Sequence, residues 1–92
     1  MTAGKALKLL RAVTSTHARI IAESAGVSPS LIAKFEGGER ELDEKVLQRI
    51  VRDLGLSAEA WDTLTAEDQE SIPKARRVRA ALEVIDLAEA FS

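Results

Sequence analysis

The chain has 92 residues, of which 46% are hydrophobic and 30% are charged, and its formal net charge is −2. This length suits one small domain with a short appendage and excludes a second full domain. The composition is typical of a globular protein and excludes a disordered or fibrous one. The chain has no cysteine, which excludes a disulfide framework and a thiolate metal site and agrees with a reducing cytoplasm.

The N-terminal segment has the pattern of neither a secretion signal nor a membrane span. Lys5, Lys8 and Arg11 interrupt its apolar residues, whereas a signal needs a continuous apolar region and a membrane helix needs about 18 apolar residues. We therefore expect a soluble protein that stays in the cytoplasm and has no membrane partner.

The small net charge hides a division along the chain. Residues 1–40 carry six basic and three acidic side chains, whereas residues 41–92 carry seven basic and twelve acidic ones. The basic half is therefore the candidate for contact with nucleic acid.

Apolar residues recur at helical spacing along the whole chain, and no segment alternates as a half-buried strand would. The sequence therefore predicts an all-α protein. The first helix ends before the hydroxyl cluster Thr14–Thr16, because such side chains compete for backbone hydrogen bonds. The second helix ends at Gly26, because glycine readily adopts the left-handed conformation found at helix ends. The apolar Val27 after it can then pack inward. The apolar stripes of these two helices are Ala6, Leu9, Leu10, Val13 and Ala18, Ile21, Ala22, Ala25.

Three further helices follow, and capping side chains mark where they start. The third starts at Ser28 and Pro29 and is ended by the glycine pair at 37–38. The fourth starts at Asp43 and the fifth at Ser57. Their apolar residues are Leu31, Ile32, Phe35, then Leu47, Ile50, Val51, Leu54, then Trp61, Leu64.

A last helix occupies the C-terminal segment. Thr65 and Asp68 resemble a capping box, and a proline at 73 begins a helix that runs close to the C-terminus. Its residues Val78, Leu82 and Ile85 fall at heptad-like spacing. Such an apolar stripe must be covered, so we predict either that it dimerises the protein or that the helix folds back onto its own domain.

Six short segments of the chain stand at characteristic distances from one another. They are Leu7–Arg11, Ile21–Glu23, Gly26–Ser28, Glu36–Arg40 (as E-x-G-x-R), Leu47 and Leu54–Ser57. At these ungapped spacings, residues 5–64 resemble the helix-turn-helix domain of the Cro and lambda-repressor type, often called the xenobiotic-response-element family. The resemblance implies a five-helix lambda-repressor-like domain, which we place at residues 1–64, and a pairing of Arg11 with Glu36. Residues 65–92 are then a C-terminal helical extension and a dimerisation segment.

The resemblance also implies that double-stranded DNA is the partner and that the third helix enters the major groove. The residues expected at the DNA are His17, Arg19, Ser28, Pro29, Ser30, Leu31, Lys34 and Arg40. Ser30, Leu31 and Lys34 are placed to contact base edges. Arg40, His17, Arg19 and the first amides of the second helix are placed to hold phosphates, which would set the register without specifying sequence.

Several of these residues also have a plainer interpretation. Ser28 and Pro29 are explained by capping alone, Lys34 by solvation, and His17 as an ordinary surface histidine. Two positions differ from the usual family pattern. Ala18 stands where many relatives carry a glutamine that touches DNA, and Leu42 stands where a proline is usual.

The sequence therefore predicts a sequence-specific DNA-binding regulator, a dimeric repressor of the phage or plasmid type, located with the nucleoid. No nucleophile, base or metal constellation stands out, so we expect no catalysis, no cofactor and no metal. Two alternatives remain. One is an antitoxin whose C-terminal segment binds a toxin through the acidic run Glu59–Glu70. The other is an interaction module that has lost DNA binding, which the alanine at position 18 and the negative net charge of the chain would allow.

Overall fold

The computed structural model describes all 92 residues and consists of helices joined by short turns. The six α-helices are α1 Ala3–Val13, α2 Ala18–Ala25, α3 Pro29–Glu36, α4 Glu44–Asp53, α5 Ala58–Thr65 and α6 Lys74–Ala90, and one turn of 3₁₀-helix lies at Gln69–Ser71. There is no strand, and the prediction of an all-α fold is confirmed. None of the helices combines the length and the apolar character that crossing a lipid bilayer requires.

Three helix starts fall on the capping residues that the sequence predicted. The Ser28 hydroxyl oxygen accepts a hydrogen bond from the Leu31 amide at 3.0 Å, and the Ser57 hydroxyl oxygen accepts one from the Ala60 amide at 3.1 Å. The Asp43 carboxylate does the same for the first amides of α4. Each cap satisfies an amide that has no partner within its helix, so the local sequence is sufficient to set these starts.

The predicted capping box of Thr65 and Asp68 is wrong. Thr65 is the last residue of α5, and its hydroxyl donates to the Trp61 carbonyl oxygen at 2.8 Å. The Asp68 carboxylate accepts a hydrogen bond from the Glu70 amide at 3.1 Å and so caps the 3₁₀ turn. Thr65 thus satisfies a carbonyl oxygen within α5 and Asp68 an amide of the 3₁₀ turn, and α6 itself starts after a proline that makes no side-chain cap.

The core draws one apolar face from every helix. Its largest fully buried side chains are Leu7, Leu10 and Ile32. The whole cluster of 14 residues is Ala6, Leu7, Leu10, Ile21, Ala22, Ile32, Phe35, Leu47, Ile50, Val51, Leu56, Ala60, Trp61 and Ala80. Helix α1 lies at its centre, because it contacts α3, α5 and α6.

Gly4 allows α1 to approach the end of α3 closely. A β-carbon at this position would overlap the carbonyl oxygen of Phe35 and lie 2.8 Å from the carbonyl oxygen of Glu36. Both are backbone atoms, so no side-chain rotation relieves the contact. The sequence pattern does not reveal this contact, because a glycine near the start of a helix adds nothing to the hydrophobic periodicity.

We expect Gly4→Ala to lower the free energy of unfolding by about 2 kcal/mol, because α1 must move away from α3 to admit the methyl group. Urea unfolding followed by circular dichroism measures this change. Gly37→Ala is the matched control, since its backbone φ is −81° and a β-carbon there would lie 3.5 Å from its nearest neighbour. Equal losses in the two variants would contradict a steric role for Gly4.

Helix α6 folds back onto the domain along one of its faces. Ala80 belongs to the buried core, and Val84 and Leu87 pack against it. The Glu83 carboxylate accepts hydrogen bonds from the Ser57 amide at 2.5 Å and from the Ser57 hydroxyl at 2.9 Å. These contacts hold α6 against the start of α5.

The stripe of Val78, Leu82 and Ile85 lies on the opposite face of α6. These side chains remain 47%, 52% and 50% exposed. Folding back and dimerisation, the two alternatives predicted for this helix, are therefore compatible, because the face that packs on the domain and the face that carries the stripe are different. The stripe is available to a partner.

Candidate nucleic-acid interface

The turn between α2 and α3 sets the position of α3. Gly26 adopts a φ of +72°, a left-handed backbone conformation that residues with a β-carbon rarely take. The Val27 amide donates to the Ala22 carbonyl oxygen at 3.0 Å, and the Val27 side chain packs against the core. Ser28 then caps α3. Only three residues separate the two helices, which is the layout of a helix-turn-helix.

Helix α3 has one face in the core and the opposite face in solvent. Ile32 and Phe35 are buried. Ser30, Ala33 and Lys34 are exposed and lie on the other side of the helix at 3.6 residues per turn. We call these three residues the outer face of α3.

The sequence predicted two members of the outer face, Ser30 and Lys34, but not Ala33. Ala33 carries no polar group that would suggest a contact with DNA, so the sequence pattern assigned it no role, although it is exposed. Its position three residues after Ser30 is the signal that could have found it. Leu31, which was predicted to contact a base, is half-buried at the edge of this face.

The other predicted DNA residues all lie at the surface. The exposed ones are His17, Arg19, Ser28, Pro29, Ser30, Lys34 and Arg40. The Ser28 oxygen is already engaged as the cap of α3. Its hydroxyl proton is still available to donate to an acceptor.

A basic depression borders the N-terminus of α2. Lys8, Arg11 and His17 line it, and it continues along Arg19. His17 precedes the helix and makes no side-chain cap, and the amides of Ala18 and Arg19 make no hydrogen bond within the protein. Free amides at the positive end of a helix, surrounded by cationic side chains, suit a phosphate group.

An ion pair between Arg11 and Glu36 joins α1 to the end of α3. The Arg11 Nε and Nη2 atoms each donate to a carboxylate oxygen of Glu36 at 2.7 Å. The Glu36 side chain is 7% exposed and that of Arg11 is 20% exposed. The hydrogen bonds to Glu36 raise the pKa of Arg11 above its ordinary value, so the guanidinium remains charged. This bidentate geometry restricts how α3 can move relative to α1.

Comparison with family models agrees with this geometry. Residues 21–61 match the model described as Helix-turn-helix. Over these residues the chain is similar to helix-turn-helix domains, which agrees with the predicted resemblance to the Cro and lambda-repressor type. No curated protein and no solved structure matched the chain.

The matched residues of this helix-turn-helix domain run from within α2 to within α5 and include the whole of α3. Such domains occur in DNA-binding transcriptional regulators, and α3, the second helix of the motif, is the element that they place in the major groove. In this domain the outer face of α3 carries one short hydroxyl, one methyl and one long cationic side chain. Ser30 and Lys34 are therefore the two side chains of this face that offer polar groups.

Proposed function

We propose that the protein is a dimeric repressor of the phage or plasmid type that binds a pseudo-palindromic site on double-stranded DNA and works in the cytoplasm at the nucleoid. The observation that carries the proposal is the exposed outer face of α3, held in place by the turn at Gly26 and by the Arg11–Glu36 pair. Ser30 and Lys34 donate to base edges, and Ala33 packs on a thymine methyl group. Repression follows because the bound protein occludes polymerase.

Phosphate contacts orient the recognition helix on the duplex. On α2, the free amides of Ala18 and Arg19 hold one phosphate, with His17 and the Arg19 side chain beside them. In the loop after α3, the exposed Arg40 holds another. These contacts are independent of base sequence, so they contribute affinity and salt dependence.

A second copy of the chain completes the site, because a two-fold dimer presents two recognition helices to successive turns of the major groove, about 34 Å apart. The half-exposed stripe of Val78, Leu82 and Ile85 supplies the contact between the copies. One chain measures 36 × 29 × 19 Å, which is compatible with that spacing.

Selection of bound fragments from random duplexes at a stated salt concentration tests the proposal. We expect enrichment of a sequence with two related half-sites whose centres are about one helical turn apart. Retention without enrichment would contradict sequence-specific binding. No salt-dependent retention at all would favour an interaction module that has lost DNA binding.

We expect Lys34→Ala and Arg40→Ala to weaken DNA binding in different ways. Arg40→Ala should weaken operator and scrambled duplex equally and reduce the salt slope by about one unit, because it removes a phosphate contact. Lys34→Ala should also change the preferred base at one position, with a discrimination loss of about 1 to 3 kcal/mol. Titrations against both duplexes at several salt concentrations measure these effects.

Arg52→Ala is the matched control for this pair of variants, because Arg52 is an exposed arginine on α4 without an ion-pair partner. It should change neither affinity nor salt slope beyond the effect of net charge. Unchanged binding in both test variants would contradict α3 as the element that contacts DNA.

The acidic run Glu59–Glu70 supports the antitoxin alternative less in the structure than it does in the sequence. Glu59 contacts Arg76 at 3.7 Å and Arg79 at 3.5 Å within the same chain. Part of the negative charge offered to a basic toxin is therefore already compensated by α6. The pair with Arg79 is exposed and adds little stability, whereas Arg76 is half-buried.

A further inference from the structure

The exposed stripe of α6 has a charge at each end. At 100° per residue, Lys74, Val78, Leu82, Ile85 and Glu89 share the side of the helix that faces away from the core. From Lys74 to Glu89 this row of residues is about 22 Å long at 1.5 Å per residue. Lys74 and Glu89 are exposed, and neither forms an ion pair within the chain. The stripe thus has a positive end, an apolar middle and a negative end.

These residues are arranged symmetrically about the middle of the stripe, between positions 81 and 82. Lys74 precedes that point by as many residues as Glu89 follows it, and the same holds for Val78 and Ile85. Two antiparallel copies related by a two-fold axis at this point therefore bring Lys74 opposite Glu89 twice. They also bring Val78 opposite Ile85 twice and place the two Leu82 side chains together at the centre.

We propose that two copies of this chain pair through α6 in the antiparallel direction, with the two-fold axis between Ala81 and Leu82. The inference rests on the dimer of the proposed function and specifies its interface. A parallel pair would set Lys74 against Lys74 and Glu89 against Glu89, and like charges in contact disfavour association. The antiparallel pair instead covers the apolar middle and compensates both ends.

The chain contains no cysteine, so single cysteine variants report the register directly. A disulfide requires Cα atoms within about 7 Å. In the antiparallel register, a refolded mixture of Val78→Cys and Ile85→Cys forms the cross-link between positions 78 and 85 on oxidation. Neither variant cross-links alone, because identical positions are then about 10 Å apart along the helix axis. Leu82→Cys cross-links with itself and serves as the positive control.

Charge reversal provides an independent readout of the same register. Lys74→Glu and Glu89→Lys should each raise the dimer Kd about tenfold, because each creates two contacts between like charges. The double variant should return the Kd to near that of the unchanged protein. Arg77→Glu is the matched control, since Arg77 is exposed on α6 but lies off the stripe. Sedimentation equilibrium at micromolar concentration gives the Kd values.

The possible outcomes test three statements separately, namely the antiparallel register, the existence of the dimer and DNA binding by α3. A dimer in which Val78→Cys cross-links with itself would overturn the antiparallel register while leaving the dimer in place. A dimer that is indifferent to the charge reversals and forms no cross-link would place the interface elsewhere. A chain that stays monomeric would overturn both the register and the dimeric part of the proposed function, and the selection of bound duplexes would still test α3 separately.

Discussion

Arg11→Met is expected to lower the free energy of unfolding by about 4 kcal/mol, because it leaves the carboxylate of Glu36 buried without its partner. The Glu36 side chain is only 7% exposed, so water cannot replace the two lost hydrogen bonds. Glu36→Leu should cost less, since Arg11 is 20% exposed and its guanidinium can turn towards solvent. Urea or thermal unfolding measures both changes. The raised pKa of Arg11 means that the contribution of its charge is present throughout the neutral range and is lost as the pH rises into strongly alkaline solution.

Arg49→Met is the matched control, because Arg49 pairs with Asp53 at 3.9 Å and the two side chains are 63% and 49% exposed. An exposed pair of this kind is worth about 0.2 to 1 kcal/mol. The double variant Arg11→Met with Glu36→Leu should recover most of the stability, since it leaves neither charge buried alone. If its loss equalled the sum of the two single losses, the pair would not act as a unit.

Leu82→Asp combined with Ile85→Asp is expected to give a folded monomer whose affinity for a two-half-site operator is lower by about 100-fold. Both side chains are half exposed, so the aspartates do not enter the core. The affinity falls because the second recognition helix no longer binds as part of the same molecule. Sedimentation equilibrium and operator titration measure the two effects.

The same double variant should bind a duplex with a single half-site as well as the unchanged protein does. Ala90→Asp adds negative charge to an exposed position of α6 off the stripe and is the control for charge alone. Deleting α6 is a poorer experiment, because Ala80 lies in the core and Glu83 binds Ser57. A double variant that still dimerises would show that α6 is not the contact between the copies.

Features that depend on a few neighbouring residues were predictable from the sequence. The starts of α3, α4 and α5 at Ser28, Asp43 and Ser57 each depend on one side chain reaching an amide two or three residues away. The same is true of the left-handed turn at Gly26. The capping-box prediction at residues 65–68 failed, because the same side-chain types also satisfy backbone groups at the end of a helix and in a connecting turn.

The candidate site was predictable in part. The position of α3 and the exposure of Ser30 and Lys34 agree with the sequence interpretation. Ala33 was missed, because a small apolar residue has the same sequence signal on either face of a short helix. The pairing of Arg11 with Glu36 spans 25 residues. It was expected from the family resemblance and not from any local pattern.

The sequence by itself determined the helices, the caps of α3, α4 and α5, the helix-turn-helix turn and the position of α3 along the chain, because each depends on local backbone chemistry and on periodicity. Only the tertiary structure decided which apolar face of α6 is buried. Both faces of α6 carry apolar residues at helical spacing, and the choice between them depends on its contacts with α1 and α5. The close approach of Gly4 to α3 was likewise decided by packing between segments that are distant in the chain.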